Sequence, residues 1–462
     1  MAVAYRGYSV IVGAPVCAML AVLLAIGPQA VLPVFSDLFM AATVYFVQSY
    51  LPVFLLGALF GKMMELTGAA AAISGWIVRT LGARHTLGAI VVACAVLTYG
   101  GVSLFVVAFA VYPFAKALFR QAKIDPKLIP GTIALGAFTF TMDALPGTPQ
   151  IQNIIPTTFF GTTPYAAPIL GLCGAAFVLT CGMLYLEKRK RDLGTYEWPE
   201  LEEGEEKLPE QADLPPAILA FLPLFTVAGV NFFFLRYLKG TGVKDVGLSQ
   251  LGIDPSGIDP KLLKGADDLV VHVGEKASIY SIEVALVCGL LVAGAIGFKR
   301  LGGKLQSGMD KAVAGAMLAA LNTGSEYGFG AVIAAMPGFA IVKTTLANAF
   351  SNPLLNEAVS VNLLAGITGS ASGGMSIALA AMSENFKAAA LAADIPFEVL
   401  HRVASMASGG MDTLPHNGAV ITVLMITGMT HRQSYRDIFA LTCIKTLAVF
   451  VIIAIYSTTG LV

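Results

Sequence analysis

Charge is what this sequence has least of. Asp, Glu, Lys and Arg together make up 13% of its 462 residues, about half the share that a soluble globular domain carries. The charges also balance, 29 basic against 29 acidic, so there is no net excess to draw the chain to nucleic acid or to anchor it on an acidic membrane surface. Cysteine is sparse too. Cys17, Cys94, Cys173, Cys181, Cys288 and Cys443 all lie in apolar segments, and none forms a Cys-x-x-Cys pair. A disulfide framework and a cysteine metal centre are therefore not indicated, and each thiol reads as a small hydrophobe. No cofactor motif is present, and the chain reads as a non-enzyme.

Long hydrophobic runs take the place of charge. Apolar residues reach 56% and mean hydropathy is +0.76, which leaves room for about ten to twelve spans of ~20 residues. Candidate spans lie at 8–27, 38–66, 165–187, 215–238, 279–298, 310–346 and 434–458. The first is followed by many others, so it reads as a transmembrane helix and not as a signal sequence. The 310–346 run is too long for one straight crossing, and Asn322-Thr-Gly-Ser-Glu326 is expected to break or bend it.

Two regions differ from these plain spans. In 86–163, apolar sequence is interrupted at Tyr99-Gly-Gly-Val-Ser103 and again at Asp143-Ala-Leu-Pro-Gly-Thr-Pro149. In 354–431, the interruptions are Gly369-Ser-Ala-Ser-Gly-Gly-Met-Ser376 and Met411-Asp-Thr-Leu-Pro-His-Asn-Gly418. Met142-Asp-Ala-Leu-Pro146 matches Met411-Asp-Thr-Leu-Pro415, with the aspartates 269 positions apart, as are Asp125 and Asp394. The Gly-Gly pairs are 273 apart, a slip of four residues or about one helical turn. Two motifs in one order at nearly one spacing mark an internal duplication.

Basic residues orient the chain. Arg79, Arg84, Lys116, Arg120, Lys123, Lys127, the Lys188-Arg-Lys-Arg191 run, Lys299-Arg300, His431-Arg432 and Arg436 all fall on the cytoplasmic side in one topology. In it 86–119 is a re-entrant hairpin and 128–163 a helix that crosses once with a break. Five crossings then separate equivalent points of the two repeats, an odd number, so the second repeat is inverted. The expected fold is an all-α polytopic membrane protein with about ten crossings and two hairpins. The first repeat is 1–187, and a linker with a connecting span and external loop covers 188–278. The second repeat is 279–462, with a hairpin at 354–393, a broken helix at 396–430 and a last helix at 434–458. The N-terminus is expected inside, the C-terminus outside, and the setting is a bacterial-type inner membrane. The acidic loop 188–214 reads as a solvated linker.

Backbone leaves helical form at mid-membrane only where protein or a water-filled cavity satisfies it. Four paired breaks therefore imply one shared polar cavity. Gly100, Gly101, Gly373 and Gly374 permit tight turns, and each pair leads into a half-helix whose first N–H groups are unpaired and carry positive dipole. Ser103 and Ser376 are placed in those first turns. Lys and Arg are absent from all four loops, so the site suits a small carboxylate held by amides and hydroxyls. Thr148, Gln150 and Asn153, with His416 and Asn417, add uncharged donors and acceptors, and His416 also offers a titratable ring. Asp143 and Asp412 end the first half-helices, facing the negative end of a dipole, and are candidates to take up a coupling H⁺ or Na⁺ or to bond backbone across the breaks. Glu326 is a further coupling candidate.

At these residues the sequence resembles the gluconate permease (GntP-type) family, within an ion transporter superfamily that also holds citrate and dicarboxylate carriers. Gly369-Ser-Ala-Ser-Gly-Gly-Met-Ser376 and Ser408-Gly-Gly-Met-Asp-Thr-Leu-Pro-His-Asn-Gly418 carry the likeness. The resemblance implies secondary transport of sugar acids or small hydroxycarboxylates, usually with protons. The superfamily implies a homodimer in which a transport domain moves against a scaffold as an elevator. Gluconate permeases proper tend to read Gly-Ser-Ala-Thr and His-x-Asn-Asp-Ser-Gly where this chain has Gly-Ser-Ala-Ser-Gly-Gly and Pro-His-Asn-Gly-Ala. The chain therefore looks more like the branch for short hydroxy acids such as 3-hydroxybutyrate. A sodium-coupled di- or tricarboxylate carrier is the alternative within the superfamily, and an anion channel or a membrane enzyme is a remote one. An intramembrane aspartyl protease would want Gly-x-Gly-Asp, which Gly409-Gly-Met-Asp412 misses.

Overall fold

The computed structural model describes residues 10–82, 85–102, 104–199, 214–240, 246–247, 249–252, 254, 270–338, 350, 352–415 and 417–462. Helices dominate, and the one sheet among the described residues pairs Val246–Gly247 with Val270–Val271. The first helices are α1 (Val10–Ala25), α2 (Pro28–Val34) and, through a π-helical turn at Phe35–Met40, α3 (Ala41–Leu66). Pro28–Leu66 thus runs 39 residues, longer than the expected 38–66 span. Next comes α4 (Ala69–Leu81), absent from the expected spans because its 13 residues are too few for a full crossing. A hairpin of α5 (Thr86–Tyr99) and α6 (Leu104–Gln121) follows. The first interrupted helix comprises α7 (Ile129–Ala137), the single turn α8 (Phe140–Asp143) and α9 (Ile151–Phe160).

Four long helices come next: α10 (Pro168–Leu193), α11 (Ala217–Gly240), α12 (Val273–Leu301) and α13 (Lys304–Ala335). A second hairpin, α14 (Pro353–Thr368) and α15 (Ala371–Ala392), precedes the second interrupted helix, α16 (Phe397–Ser408) and α17 (Gly418–Thr427). The last helix is α18 (His431–Thr459). Five helical stretches, including α10, α11, α12 and α18, are long and apolar enough to cross a bilayer. Large apolar side chains stand exposed on them, among them Ile218 and Phe298, at 86% and 77%. A bilayer would cover such a surface, whereas water would penalise it.

Contacts divide the helices into two groups. Helices α1, α3, α11, α12 and α13 pack on one another, while the hairpins, interrupted helices, α10 and α18 form the other group. Helix α4 and the α13–α15 contact join them. Within the second group the packing recurs in matching pairs: α5 on α7 and α14 on α16, α9 on α15 and α17 on α6, α9 on α16 and α17 on α7. The corresponding helices α10 and α18 run antiparallel. Arg189 meets Asp437 at one end (3.1 Å), and the Ile169 N–H donates to the Val462 carbonyl at the other (3.3 Å).

Two expectations need correction. Residues 322–326 do not interrupt α13, which is helical throughout. Gly324 and Gly328 serve close packing instead, because Cβ atoms there would press on Thr43, Val47 and Phe39 of the Pro28–Leu66 stretch. The last part of the expected 310–346 span, 339–346, lies outside the described residues. The second hairpin turns at Gly369-Ser370 and not at Gly373-Gly374. Gly369 has φ +68°, as Gly101 has φ +93° in the first hairpin, conformations open to glycine at no steric cost. These turn glycines are 268 positions apart, in step with the aspartates, so the four-residue slip came from pairing glycines that are not equivalent. Gly373 and Gly374 lie in the first turn of α15, where a Cβ on Gly374 would overlap the backbone of α14 at Leu364 and Ala365.

The linker is fastened at both described ends. Beyond α10, Tyr196 N–H donates to the Lys123 carbonyl (2.8 Å), Trp198 Nε1 donates to the Ile124 carbonyl (3.0 Å), and Arg120 lies over the Trp198 ring. At the far end Leu214 and Pro215 pack on Gly68, and Arg300 donates to the neighbouring Thr67 carbonyl (3.3 Å). Most of the acidic residues, Glu200 to Asp213, lie outside the described residues.

Candidate substrate site at the hairpin tips and helix breaks

Each hairpin tip docks on the break that follows it in sequence through the same device. Gln150 occupies the N-cap position of α9, and its Nε2 donates to the Thr98 carbonyl at the first tip (2.8 Å). Asn417 occupies the N-cap position of α17, and its Nδ2 donates to the Gly369 carbonyl at the second (2.8 Å). Asn417 Oδ1 also accepts from the N–H groups of Ala419 and Val420, an N-cap of the usual kind. Tyr99 adds a hydroxyl bond to the Pro146 carbonyl (2.9 Å). Tip and break are thus one unit in each repeat.

In the first break Thr148 and Asn153 are satisfied by protein groups, while Gln152 Oε1 and, at the docked tip, Thr98 Oγ1 are buried without a hydrogen-bond partner among the described residues. Thr148 donates to the Thr141 carbonyl (2.8 Å), and Asn153 Nδ2 donates to the carbonyls of Thr148 and Pro164 (3.0 and 2.9 Å). Asn153 Oδ1 faces His401 Nε2 and Arg402 Nη1, both at 3.1 Å. These side chains hold the break together, with their polar atoms engaged by protein.

Loops without Lys or Arg led the sequence reading to a site without fixed positive charge; two buried cations nevertheless reach the breaks from neighbouring helices. Arg402 of α16 is 0% exposed. It donates to the Ala166 carbonyl (2.7 Å from Nη2) and to the Asp143 carbonyl (3.0 Å), tying down the backbone on both sides of the first break. Lys445 of α18 pairs with Asp412 (2.7 Å) and donates to the Phe138 carbonyl where α7 ends (3.2 Å). Asp143 has Lys445, Asp412 and Arg402 as its charged surroundings, and its carboxyl lies against Gly409 of the other break. The two crossed breaks therefore enclose two acids and two bases. The aspartates are not equivalent: Asp412 has a direct cationic partner, while the backbone carbonyl of Asp143, not its carboxylate, receives Arg402 and Ser405. His401, fully buried beside Arg402, contacts Thr162 at 2.6 Å. The sequence reading missed His401, Arg402 and Lys445, although an ionisable residue inside an apolar span is itself a signal.

Around the second hairpin the balance is different. Glu326 Oε2, Asn322 Oδ1, Asn362 Oδ1 and Ser376 Oγ are buried without a hydrogen-bond partner among the described residues. Asn362 Oδ1 faces Gly410 of the second break, and the Glu326 carboxyl lies against Gly373 in the first turn of α15. Ser376 sits beyond that first turn, a correction to its expected place. Glu357 of α14 is also fully buried, with both carboxyl oxygens unpartnered among the described residues. Ser103 and His416 lie outside the described residues. Gly100 and Gly101 are at the first tip as expected, with Gly100 against Leu224 of α11 and Gly101 against Pro149. No group of three or more metal-ligating side chains occurs among the described residues.

Hairpins docked on interrupted helices, inside an apolar helical shell, define the architecture of a membrane transporter. The fold is similar to that of the Alcanivorax borkumensis YdaH transporter, with a TM-score of 0.62 over 97% of this chain and 98% of that one at 13% identity. It is also similar to Neisseria gonorrhoeae MtrF, one of a class of antimetabolite efflux pumps, with a TM-score of 0.55 over 94% and 85% of the two chains at 14% identity. At these identities the likeness is one of fold. In sequence, residues 11–229 match the family described as GntP family permease. The whole chain is 53% identical to the Bacillus subtilis (strain 168) uncharacterized transporter YxjC, covering 97% of that protein. The chain belongs to the GntP permease family.

Proposed function

We propose that this chain is a secondary active transporter that takes up a small organic anion together with protons. The substrate class is a hydroxycarboxylate such as 3-hydroxybutyrate, or a sugar acid. The observation that carries the reading is the start of α15, where the Ala371 and Ser372 N–H groups donate to no acceptor among the described residues, near the unpartnered buried oxygens of Asn322, Glu326, Asn362 and Ser376, which suit a substrate hydroxyl or a coupling H⁺. Helix N-termini with free amides favour carboxylates, and unpaired buried polar atoms are costly unless a ligand uses them. Asp143, Asp412 and Glu326 are the acids available for coupling. Antiparallel α10 and α18, with packing that recurs in matching pairs, supports two inverted repeats. The framework of α1, α3 and α11 to α13 serves as the scaffold of an elevator, homodimeric as in the wider superfamily, and the hairpins and breaks as its moving part.

The test is purified protein in liposomes, offered labelled 3-hydroxybutyrate, gluconate, citrate and succinate under an inward H⁺ or Na⁺ gradient. Accumulation of a monocarboxylate driven by the H⁺ gradient, with trans-acceleration by unlabelled acid inside, is the expected outcome. Accumulation of citrate or succinate with Na⁺ alone would replace this reading with a sodium-coupled carrier, and ohmic flux without trans-acceleration would replace it with a channel.

A further inference from the structure

Glu326 stands out because the framework, not the hairpin, supplies it. It projects from α13, is 6% exposed, and its Oε2 has no partner among the described residues. It is aimed at the start of α15: a Cβ on Gly373 would overlap the carboxyl, and the Ser370 hydroxyl lies beside it. In that turn Ser370 Oγ takes the Gly373 N–H (3.1 Å) and the Ser370 carbonyl takes the Gly374 N–H (2.9 Å). The N–H groups of Ala371 and Ser372 donate to no acceptor among the described residues. A carboxyl group therefore lies already at the spot where an incoming carboxylate would meet free amides and helix dipole.

The duplication does not require this acid. Equivalent positions of the repeats lie 267 to 271 apart, which leads from Glu326 to Leu55, Leu56, Gly57, Ala58 and Leu59, a window without a polar side chain. No described basic side chain forms an ion pair with it. Of the elements packed on α13, α3 brings the phenols Tyr45 and Tyr50 and, against Gly308 near the far end of α13, a Lys62–Glu65 pair; the π-helical turn brings the exposed Asp37, α1 the exposed Cys17, and α15 a Glu384–Lys387 pair beyond its third turn. Tyr327 adjoins on α13 itself.

We propose that Glu326 is an internal competitor of the transported anion: its carboxyl, which here lies against Gly373 within the same turn without taking the Ala371 or Ser372 N–H, moves onto those amides when ionised, and only its protonation leaves the site to the substrate carboxylate. The inference rests on the anion-symport reading above. One proton goes onto Glu326 as one carboxylate takes its place, so a monovalent acid moves with one H⁺ and no net charge. Coupling follows from competition, because the ionised residue and the ionised substrate cannot both hold the same N–H groups.

The experiment measures half-saturation of labelled 3-hydroxybutyrate and gluconate exchange in liposomes at about pH 6 and about pH 8. Wild type is expected to weaken toward about tenfold per pH unit as the ionised competitor comes to dominate. Glu326→Gln, neutral at every pH, is expected to lose that dependence and the ability to accumulate label from a pH gradient. Gly373→Ala, whose methyl displaces the carboxyl, is expected to lose the dependence as well. Accumulation by Glu326→Gln at the wild-type level overturns the proposal. If both variants prove too unstable to exchange, proton uptake by the wild-type chain on adding either acid in weak buffer decides: about one H⁺ per acid bound supports it, and none overturns it. A wild-type chain that exchanges neither acid overturns the transport reading instead, a result distinct from all of these.

Discussion

Arg402 has no charged partner in direct contact and instead serves backbone carbonyls, which makes it a fastener of the first break. Arg402→Met leaves the Ala166 carbonyl without this donor and the Asp143 carbonyl with Ser405 as its remaining side-chain donor, at about 1–3 kcal/mol for the group left unsatisfied. A lowered melting temperature in detergent is the expected result. Arg402→Lys should restore little, because an ammonium lacks the planar fork that reaches two carbonyls at once. An unchanged melting temperature in both variants would remove this role. Asp143, Asp412, Gln150 and Asn417 were legible in the sequence because they stand beside Gly and Pro, which break the helical pattern. Arg402 and Lys445 were not: Lys445 sits singly in a run whose average hydropathy hides it, and Arg402 stands with His401 in a short helix away from the Gly and Pro of the break. Most of their partners are backbone carbonyls far away in sequence, those of Asp143, Ala166 and Phe138, and only Asp412 lies nearby.

At the scale of elements, the hairpins show what a motif can and cannot reveal. Gly-Gly marked both hairpins correctly, yet only the first pair makes the turn. In the second, the turn falls to Gly369, and Gly374 brings α14 and α15 into backbone contact. Sequence alone does not separate these uses, since both ask only for a missing side chain. Gly374→Ala places a methyl against backbone that has no rotamer to yield, so it is expected to cost about 1–3 kcal/mol and to open the second hairpin to protease. Gly229→Ala on α11 meets nothing within 4 Å and is expected to be neutral in both assays. Equal effects would contradict the packing role. The supposed break at 322–326 failed for the same reason: small residues there serve helix contact, and the local sequence satisfies a helix equally well.

For the whole molecule, hydropathy gave the membrane class and the order of most elements, because apolar runs and their interruptions are local. Orientation rests on the basic residues and is open to test. In a cysteine-free background, Thr459→Cys is expected to react with an impermeant maleimide applied outside, and Glu197→Cys only after permeabilisation. Labelling of both from one side would break the five-crossing count and the inversion with it.

The two ends of the linker carry one more implication. Residues 196–199 are strapped to the base of the first hairpin, and Leu214 is seated on the framework beside Gly68. Only the 14 residues 200–213 lie between these attachments, and a fully extended chain of that length spans about 45–50 Å. Under the elevator motion proposed above, this segment acts as a leash. It sets an upper bound on how far one body can travel from the other, and residues removed from it shorten the stroke before they touch any binding group.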